Sequence, residues 1–328
     1  MISNEGSTGM AQGFSQINYK LTPSLTTNIG LHYTRFLLNN SQSLEPRAAM
    51  RYSLNNKHTF TAGYGLHSQV QPLGVYFSRA INGGDQTGNQ NQNLELSKAH
   101  HFVTGYDRII SENSHIKAEF YYQHLYNVPV AVDKNSSYSI LNSTSGYFSE
   151  ALINDGLGIN KGMEVTWERF LHKDLYWLFS GSLYDSKYRA ANGNWYNTRF
   201  NTNYALSFTA GKEWALSDKR KNRVIGFNVK SMYIGGFRYT PINLPASIEK
   251  GQVVLLEEKA FEEQNPAYFR VDVRLSVKRN FKHLTTTLAL DIQNTTNHKN
   301  VGGQYFDVNR GEIKYWYQAP LMPILSYR

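Results

Sequence analysis

From Ala267 to Asn294 the chain alternates apolar and polar residues in two runs. Phe269, Val271, Val273, Leu275 and Val277 are interleaved with Arg270, Asp272, Arg274, Ser276 and Lys278. After a break, Leu284, Thr286, Leu288, Leu290 and Ile292 are interleaved with Thr285, Thr287, Ala289, Asp291 and Gln293. Successive side chains of a strand point to opposite faces, so each run predicts a strand with one apolar and one polar face. Asn280 to His283 are too few for a crossover, which makes the pair an antiparallel hairpin. Each run is about ten residues, roughly twice the usual globular strand and close to the length that crosses a bilayer when tilted.

The same unit recurs along the chain. Alternation predicts strands at Phe14–Leu21, Leu25–Leu37, Leu44–Leu54, His58–Ser68, Ser97–Ile109, Ser114–Tyr126, Gly158–Phe170, Leu175–Lys187, Thr202–Trp214 and Arg223–Ile234. The connections alternate between tight turns and long loops, the latter at Val70–Leu96, Asn127–Leu157, Tyr188–Phe200, Gly235–Pro266 and Thr295–Arg310. Ile313 to Arg328 reads as extended, irregular at first because of Pro320 and Pro323, with only its last residues pairing. Soluble sandwiches have no reason to gather every long connection at one edge, whereas outer-membrane barrels do. The expectation is an all-β, antiparallel up-and-down transmembrane β-barrel wall of about 13 strands.

Aromatic positions sharpen this picture. Trp167, Phe170, Tyr176, Trp177 and Trp214 fall near short turns, and Phe36, Tyr126, Tyr184, Tyr233 and Phe269 fall where strands meet long loops. Two such belts are expected at the two water–lipid boundaries of a barrel. Composition agrees: 23 Tyr and 17 Phe among 328 residues favour strands, and the absence of cysteine excludes disulfides and thiolate metal sites. The formal net charge of +9 suggests a nucleic-acid or acidic-lipid partner only if basic residues cluster. Many instead occupy alternate strand positions (Arg47, Arg51, Arg270, Arg274, Lys278), as a wet sheet face requires, so no nucleic-acid partner is expected. No apolar run of 18 residues predicts a membrane helix, and Met1 to Ser15 have no signal-peptide core.

Several patterns that resemble catalytic or metal-binding motifs carry no such chemistry. His100 and His101 point to opposite faces of a strand, with no third ligand at metal spacing. Glu164 and Glu168 share a face but sit about 13 Å apart, too far for a glycosidase pair. Gly156–Gly162 leads into a strand rather than a helix, so it offers no phosphate-binding helix terminus. Glu257, Glu258, Glu262 and Glu263 read as a solvated loop face. No catalytic residue, metal or cofactor is expected. The remaining candidates are Trp195, Tyr196, Phe237, Arg238 and Tyr239 in the long loops, where aromatic rings and a guanidinium would stack on a sugar or chelate.

The ordered set LEPRAAMRYSL, NQNLELSKAHHFVTGYDRII, IKAEFYYQHLYNVPV, NKGMEVTWERF and AYFRVDVRLSVKRNFKHLTTTLALDIQNTTNHKNVGGQYF resembles the C-terminal barrel portion of TonB-dependent outer-membrane receptors. That resemblance implies part of a barrel of about 22 strands in the bacterial outer membrane, surrounded by lipid and lipopolysaccharide. It implies capture of an iron chelate, cobalamin, glycan or peptide by external loops, and uptake energised by the TonB complex through a plug domain. Residues 1–328 are expected to be one barrel segment without plug or signal peptide, a fragment rather than an autonomous transporter. Two other readings stay open: a passive porin-like barrel, and a soluble β-sheet carbohydrate-binding module.

Overall fold

The structure, a computed structural model, describes residues 7–78, 80–82, 85–87, 90–144, 150–216 and 222–328. Thirteen strands form one path in strict chain order, each antiparallel to the next. They are β1 (Met10–Thr22), β2 (Leu25–Phe36), β3 (Gln42–Asn55), β4 (His58–Gln69), β5 (Ser97–Ser111), β6 (Ser114–Ala131) and β7 (Leu152–His172). The path continues through β8 (Leu175–Arg189), β9 (Tyr204–Leu216), β10 (Asn222–Ile234), β11 (Tyr268–Asn280), β12 (Thr285–Gln293) and β13 (Met322–Tyr327). A fourteenth strand, Trp195–Asn197, pairs with the far end of β8. The up-and-down order expected from the alternation is the observed one.

Register carries the two faces across the sheet. One row reads Ile29, Ala48, Tyr64, Phe102 and Tyr122 on β2 to β6. One residue along, the row reads Gly30, Arg47, Gly65, His101, Gln123, Asn160 and Ser186. The same split continues as Trp177, Ala210, Val229, Val273 and Ile292 beside Tyr176, Gly211, Asn228, Arg274 and Asp291. Several cations of the polar face are paired there: Arg47 meets Glu45 at 3.1 Å, Lys117 meets Glu119 at 2.7 Å, and Arg274 meets Asp291 at 2.8 Å.

The apolar face is bare. Ile17 is 67% exposed and Phe120 56%. Burying such a side chain stabilises by roughly 1.5–3 kcal/mol, so a soluble fold would cover a face of this kind. The fully buried apolar residues lie mostly at the long-loop end, where Phe36, Val75, Tyr76, Leu94, Leu96 and Leu152 form one cluster. Apolar residues outward, polar residues inward and loops packed over one end describe a wall solvated by hydrocarbon.

Local chemistry sets the tight turns. Lys173 and Asp174 both have positive φ (51° and 65°), the twist-matched geometry of a two-residue hairpin between β7 and β8. At the β3–β4 turn Asn55 Oδ1 accepts from the backbone N–H groups of Lys57 and His58 at 2.8 and 3.0 Å. Thr22 Oγ1 accepts in the same way from Ser24 and Leu25. The expected turn between β9 and β10 falls on 217–221, outside the described residues.

Two expectations need correction. Within Thr295–Arg310, Val301–Asp307 is a strand, and it pairs with Glu312–Tyr317, which had read as irregular. The Trp316 ring lies over Gly302 and Gly303, where only glycine leaves it room, and this closes a hairpin above the wall. Only Met322–Tyr327 joins the main sheet, with Pro323 opposite Ile292. Among the described residues β13 is an edge strand, a position that tolerates proline.

Among the described residues β1 pairs only with β2, and β13 only with β12. Both run from the long-loop end to the short-turn end, so they cannot join each other antiparallel.

The candidate site: loop cap and polar wall

β6 and β7, at 18 and 21 residues, overshoot the length a bilayer requires and carry the sheet up into the loops. There Val128 and Val130 are fully buried, beneath connections pinned by asparagines. Asn91 donates to the Glu150 carbonyl at 3.0 Å and accepts from Leu152 N–H at 2.8 Å. Asn39 donates to the carbonyls of Gln92 and Leu94 at 2.9 and 2.6 Å. Tyr76 stacks against Phe36 with centroids 5.0 Å apart, its hydroxyl accepts from Gln71 N–H, and burial pushes its phenol pKa up. Farther along, the helix Leu244–Lys250 starts at Asn243, whose side chain accepts from Ala246 N–H, and stops at Gly251 in the left-handed region.

The five loop candidates do not form one cluster. Trp195 and Tyr196 line a recess of about 450 Å³ with Lys187, Asn197, Glu258 and Glu262. Trp195 is half exposed, while Tyr196 packs on the buried Tyr188 at 5.6 Å. Phe237 meets Phe200 edge-on at 6.1 Å, and Tyr239 pairs with Glu263 in a two-residue ribbon. Arg238 is fully engaged as a clamp. Its Nε donates to Asn201 O at 2.9 Å, Nη1 to Glu262 O at 2.9 Å, and Nη2 to Asn203 Oδ1 at 3.0 Å. Arg238→Ala is therefore expected to loosen the loop between β10 and β11, at a local cost of about 2–4 kcal/mol from three lost charge-assisted bonds. Faster amide exchange confined to residues 235–267 would check it; unchanged exchange would count against the clamp.

The short-turn aromatics divide by face. Trp167, Trp177 and Trp214 lie in the apolar rows, with Trp167 and Trp177 edge-to-face at 5.3 Å. Arg169 sits over the Trp177 ring at 4.9 Å and Lys212 over Trp214 at 5.5 Å. Tyr176 differs from expectation: alternation places it opposite to Trp177, and its hydroxyl bonds Asn228 across Gly211 on the polar face. Phe170 also turns inward, stacked on His115 at 5.8 Å. At the loop end Tyr126, Tyr233 and Phe269 share the apolar rows, whereas Phe36 is buried in the cap and Tyr184 points inward to Thr202.

The polar wall contains two arrangements that loop reasoning missed. Near the top of β2 to β4 the buried Glu45 carboxylate accepts from Arg47 at 3.1 Å and from the Ser68 hydroxyl, and faces His32 Nδ1 at 3.0 Å. Beside it His67 and His101 lie ring to ring at 4.7 Å. Farther round, a recess of about 550 Å³ is lined by Glu119, Tyr121, Gln123, Asn160, Glu164 and Tyr184. Asn160 donates to Gln123 at 3.0 Å and accepts from Ser186 at 2.6 Å, so amides and hydroxyls form a continuous row. Tyr121 and Tyr184 flank Gly162, where an added Cβ would fall 2.7 Å from the Tyr121 hydroxyl and 2.8 Å from Tyr184 Cβ. The wall offers hydrogen bonds and a hollow. Among the described residues no three His, Asp or Glu side chains are grouped to hold a metal.

Residues 2–294 match the family model described as TonB dependent receptor-like, beta-barrel. No curated protein matches the chain. Among solved structures, the outer membrane transporter YddB from Escherichia coli is similar at 15% identity and a TM-score of 0.68, over 97% of this chain and 45% of that one. The ferripyoverdine receptor of the outer membrane of Pseudomonas aeruginosa aligns at 14% identity and 0.67, over 97% and 38%. The ferric-catecholate import receptor Fiu from E. coli aligns at 12% and 0.64, over 98% and 44%. The chain thus spans less than half the length of these structures, and at such identity the likeness is one of fold. With a family match over most of its length and an up-and-down wall apolar outside and polar within, the chain belongs to the TonB-dependent receptor β-barrel family.

Proposed function

We propose that this chain is barrel wall of an outer-membrane receptor that captures a small ligand through its external loops and passes it inward by energised uptake. The observation that carries the reading is the two-faced ladder with every long connection at one end. The loop cap stands where an arriving ligand is met, and the polar wall beneath it is where a ligand would travel. An iron chelate is the favoured class, because ferric-catecholate and ferripyoverdine receptors are among the solved structures sharing the fold. Lipid and lipopolysaccharide surround the apolar face. Energy comes from the TonB complex through a plug enclosed by the completed barrel. Trp195 and Tyr196 are the loop residues proposed for ligand contact. No catalytic residue is assigned.

Completion has a geometric condition. Both margins run the same way, so antiparallel closure takes an odd number of further strands; roughly nine would reach the roughly 22 strands of plugged transporters. Residues 1–328 are proposed as one segment of that barrel.

Cells producing the receptor are expected to accumulate a radiolabelled ferric chelate, and to lose uptake when the TonB complex is deleted or the proton gradient collapsed. Uptake indifferent to both would indicate a passive pore. Native protein extracted without detergent would defeat the membrane reading and favour a soluble carbohydrate-binding module.

A further inference from the structure

We propose that the short-turn end of the wall is a binding band for anionic phospholipid headgroups. The residues are Arg108, Arg169, Lys212, Arg223 and Arg279. Register puts all five on the apolar face: Arg108 opposite Ile116, Arg169 opposite Trp177, Lys212 opposite Phe227, and Arg223 opposite both Leu216 and Arg279. Arg108, Arg169, Arg223 and Arg279 lie within a few residues of the short turns, level with or beyond the tryptophans of the band (Trp167, Trp177 and Trp214). Lys212, two residues to the membrane side of Trp214, reaches toward that rim over the Trp214 ring.

Three observations point to an anion there. First, none of the five has a carboxylate within ion-pair distance among the described residues, and none stands opposite one in the ladder; on the polar face Arg47, Lys117, Arg270 and Arg274 are paired, and the unpaired Lys230 still stands opposite Asp272. Second, Arg223 and Arg279 stand directly opposite each other on β10 and β11. Like charges facing across strands are destabilising, and an anion between them reverses the sign. Third, Arg169 Nε, Arg223 Nε and Trp177 Nε1 are shielded donors without a hydrogen-bond partner. With Arg169 stacked on Trp177 and Lys212 on Trp214, the band pairs cations with rings at the depth where headgroup phosphates lie. Apolar chains immediately above make the occupant a lipid rather than a free anion.

The inference rests on the membrane reading above, and one experiment separates their failures. The receptor with its completed barrel, every tryptophan outside the band (Trp195 and Trp316 among them) replaced by Phe, is reconstituted into vesicles. These contain phosphatidylcholine or phosphatidylglycerol with brominated acyl chains, which quench only nearby tryptophans. The quenching ratio gives the relative affinity of the band for the two headgroups. Phosphatidylglycerol is expected to be favoured about fivefold or more at low salt, given roughly 1 kcal/mol per basic residue near a charged surface. The preference should fall toward unity as salt is raised on the same unmutated band, and in the Arg169→Gln/Lys212→Gln/Arg223→Gln variant. Arg169→Lys/Arg223→Lys should retain it. Equal quenching by both lipids at low salt, or a salt-independent ratio, overturns the headgroup proposal alone. No quenching by either lipid sinks it together with the membrane reading.

Discussion

Leu275→Arg is expected to cost about 2–4 kcal/mol of stability in a bilayer, whereas Ser276→Arg, one residue along, costs little. The two positions share a strand, a depth and a mutant side chain. Leu275 lies mid-strand on the apolar face, opposite Phe227 and Leu290, and is 47% exposed. Lys212 stands in the same row two strands away and reaches the interface over the Trp214 ring, whereas a guanidinium at position 275 would have to pass Val277 toward Arg223 and Arg279, whose like charges oppose it. Ser276 faces Gly226 and Ala289 on the polar side, in the row beside the paired Arg274 and Asp291, where a cation has polar partners within reach. Reversible denaturant unfolding from phospholipid vesicles reads both values. Equal penalties would mean that the two faces meet the same medium, and the membrane architecture would be wrong.

Glu45→Ala is the second large effect, about 3 kcal/mol destabilising. Only 2% of this side chain is accessible, yet it serves Ser68, His32 and Arg47 at once. Arg47 is partly exposed, so its ion pair contributes little. Most of the loss comes from leaving the Ser68 and His32 groups buried beside a cavity. Glu45→Gln keeps the volume and part of the bonding and should cost about half as much. Combining Glu45→Ala with His32→Ala should cost less than the two separate losses added together. Full additivity would show that the two side chains do not cooperate.

The wall was legible because alternation is local. From Phe269 to Ile292 each residue declares its face by its neighbours, and the register then carries that choice across the sheet. The same logic corrects the belt. Nearness to a turn suggested Tyr176, but Trp177 faces out and its neighbour must face in. Phe170 is corrected in the same way: three residues from Trp167 on one strand, it takes the opposite face, with Glu168 and His115. The strand Glu312–Tyr317 was hidden for another reason: Pro320 and Pro323 argue against pairing, yet the first lies beyond that strand and the second occupies an edge.

The loop site was far less legible. Arg238 reads as a free cation beside two aromatics, and its partners Asn201, Asn203 and Glu262 are 24 to 37 residues away. Which face of a loop is open depends on how loops pack on one another, and no period in the chain encodes that. Glu45 is similar. Its alternation with Arg47 marks a polar face, but its burial arises where β2, β3 and β4 crowd beneath the cap.

The matched direction of β1 and β13 also fixes how the molecule could be re-cut. On the proposed closure an arc joining the two margins would climb at both, so the climbing strand beside β13 would start at the tight-turn rim, where β13 ends. A chain running from the end of β13 into that strand would need a link of only a few residues. The polypeptide would then trace the wall without crossing itself or threading the pore.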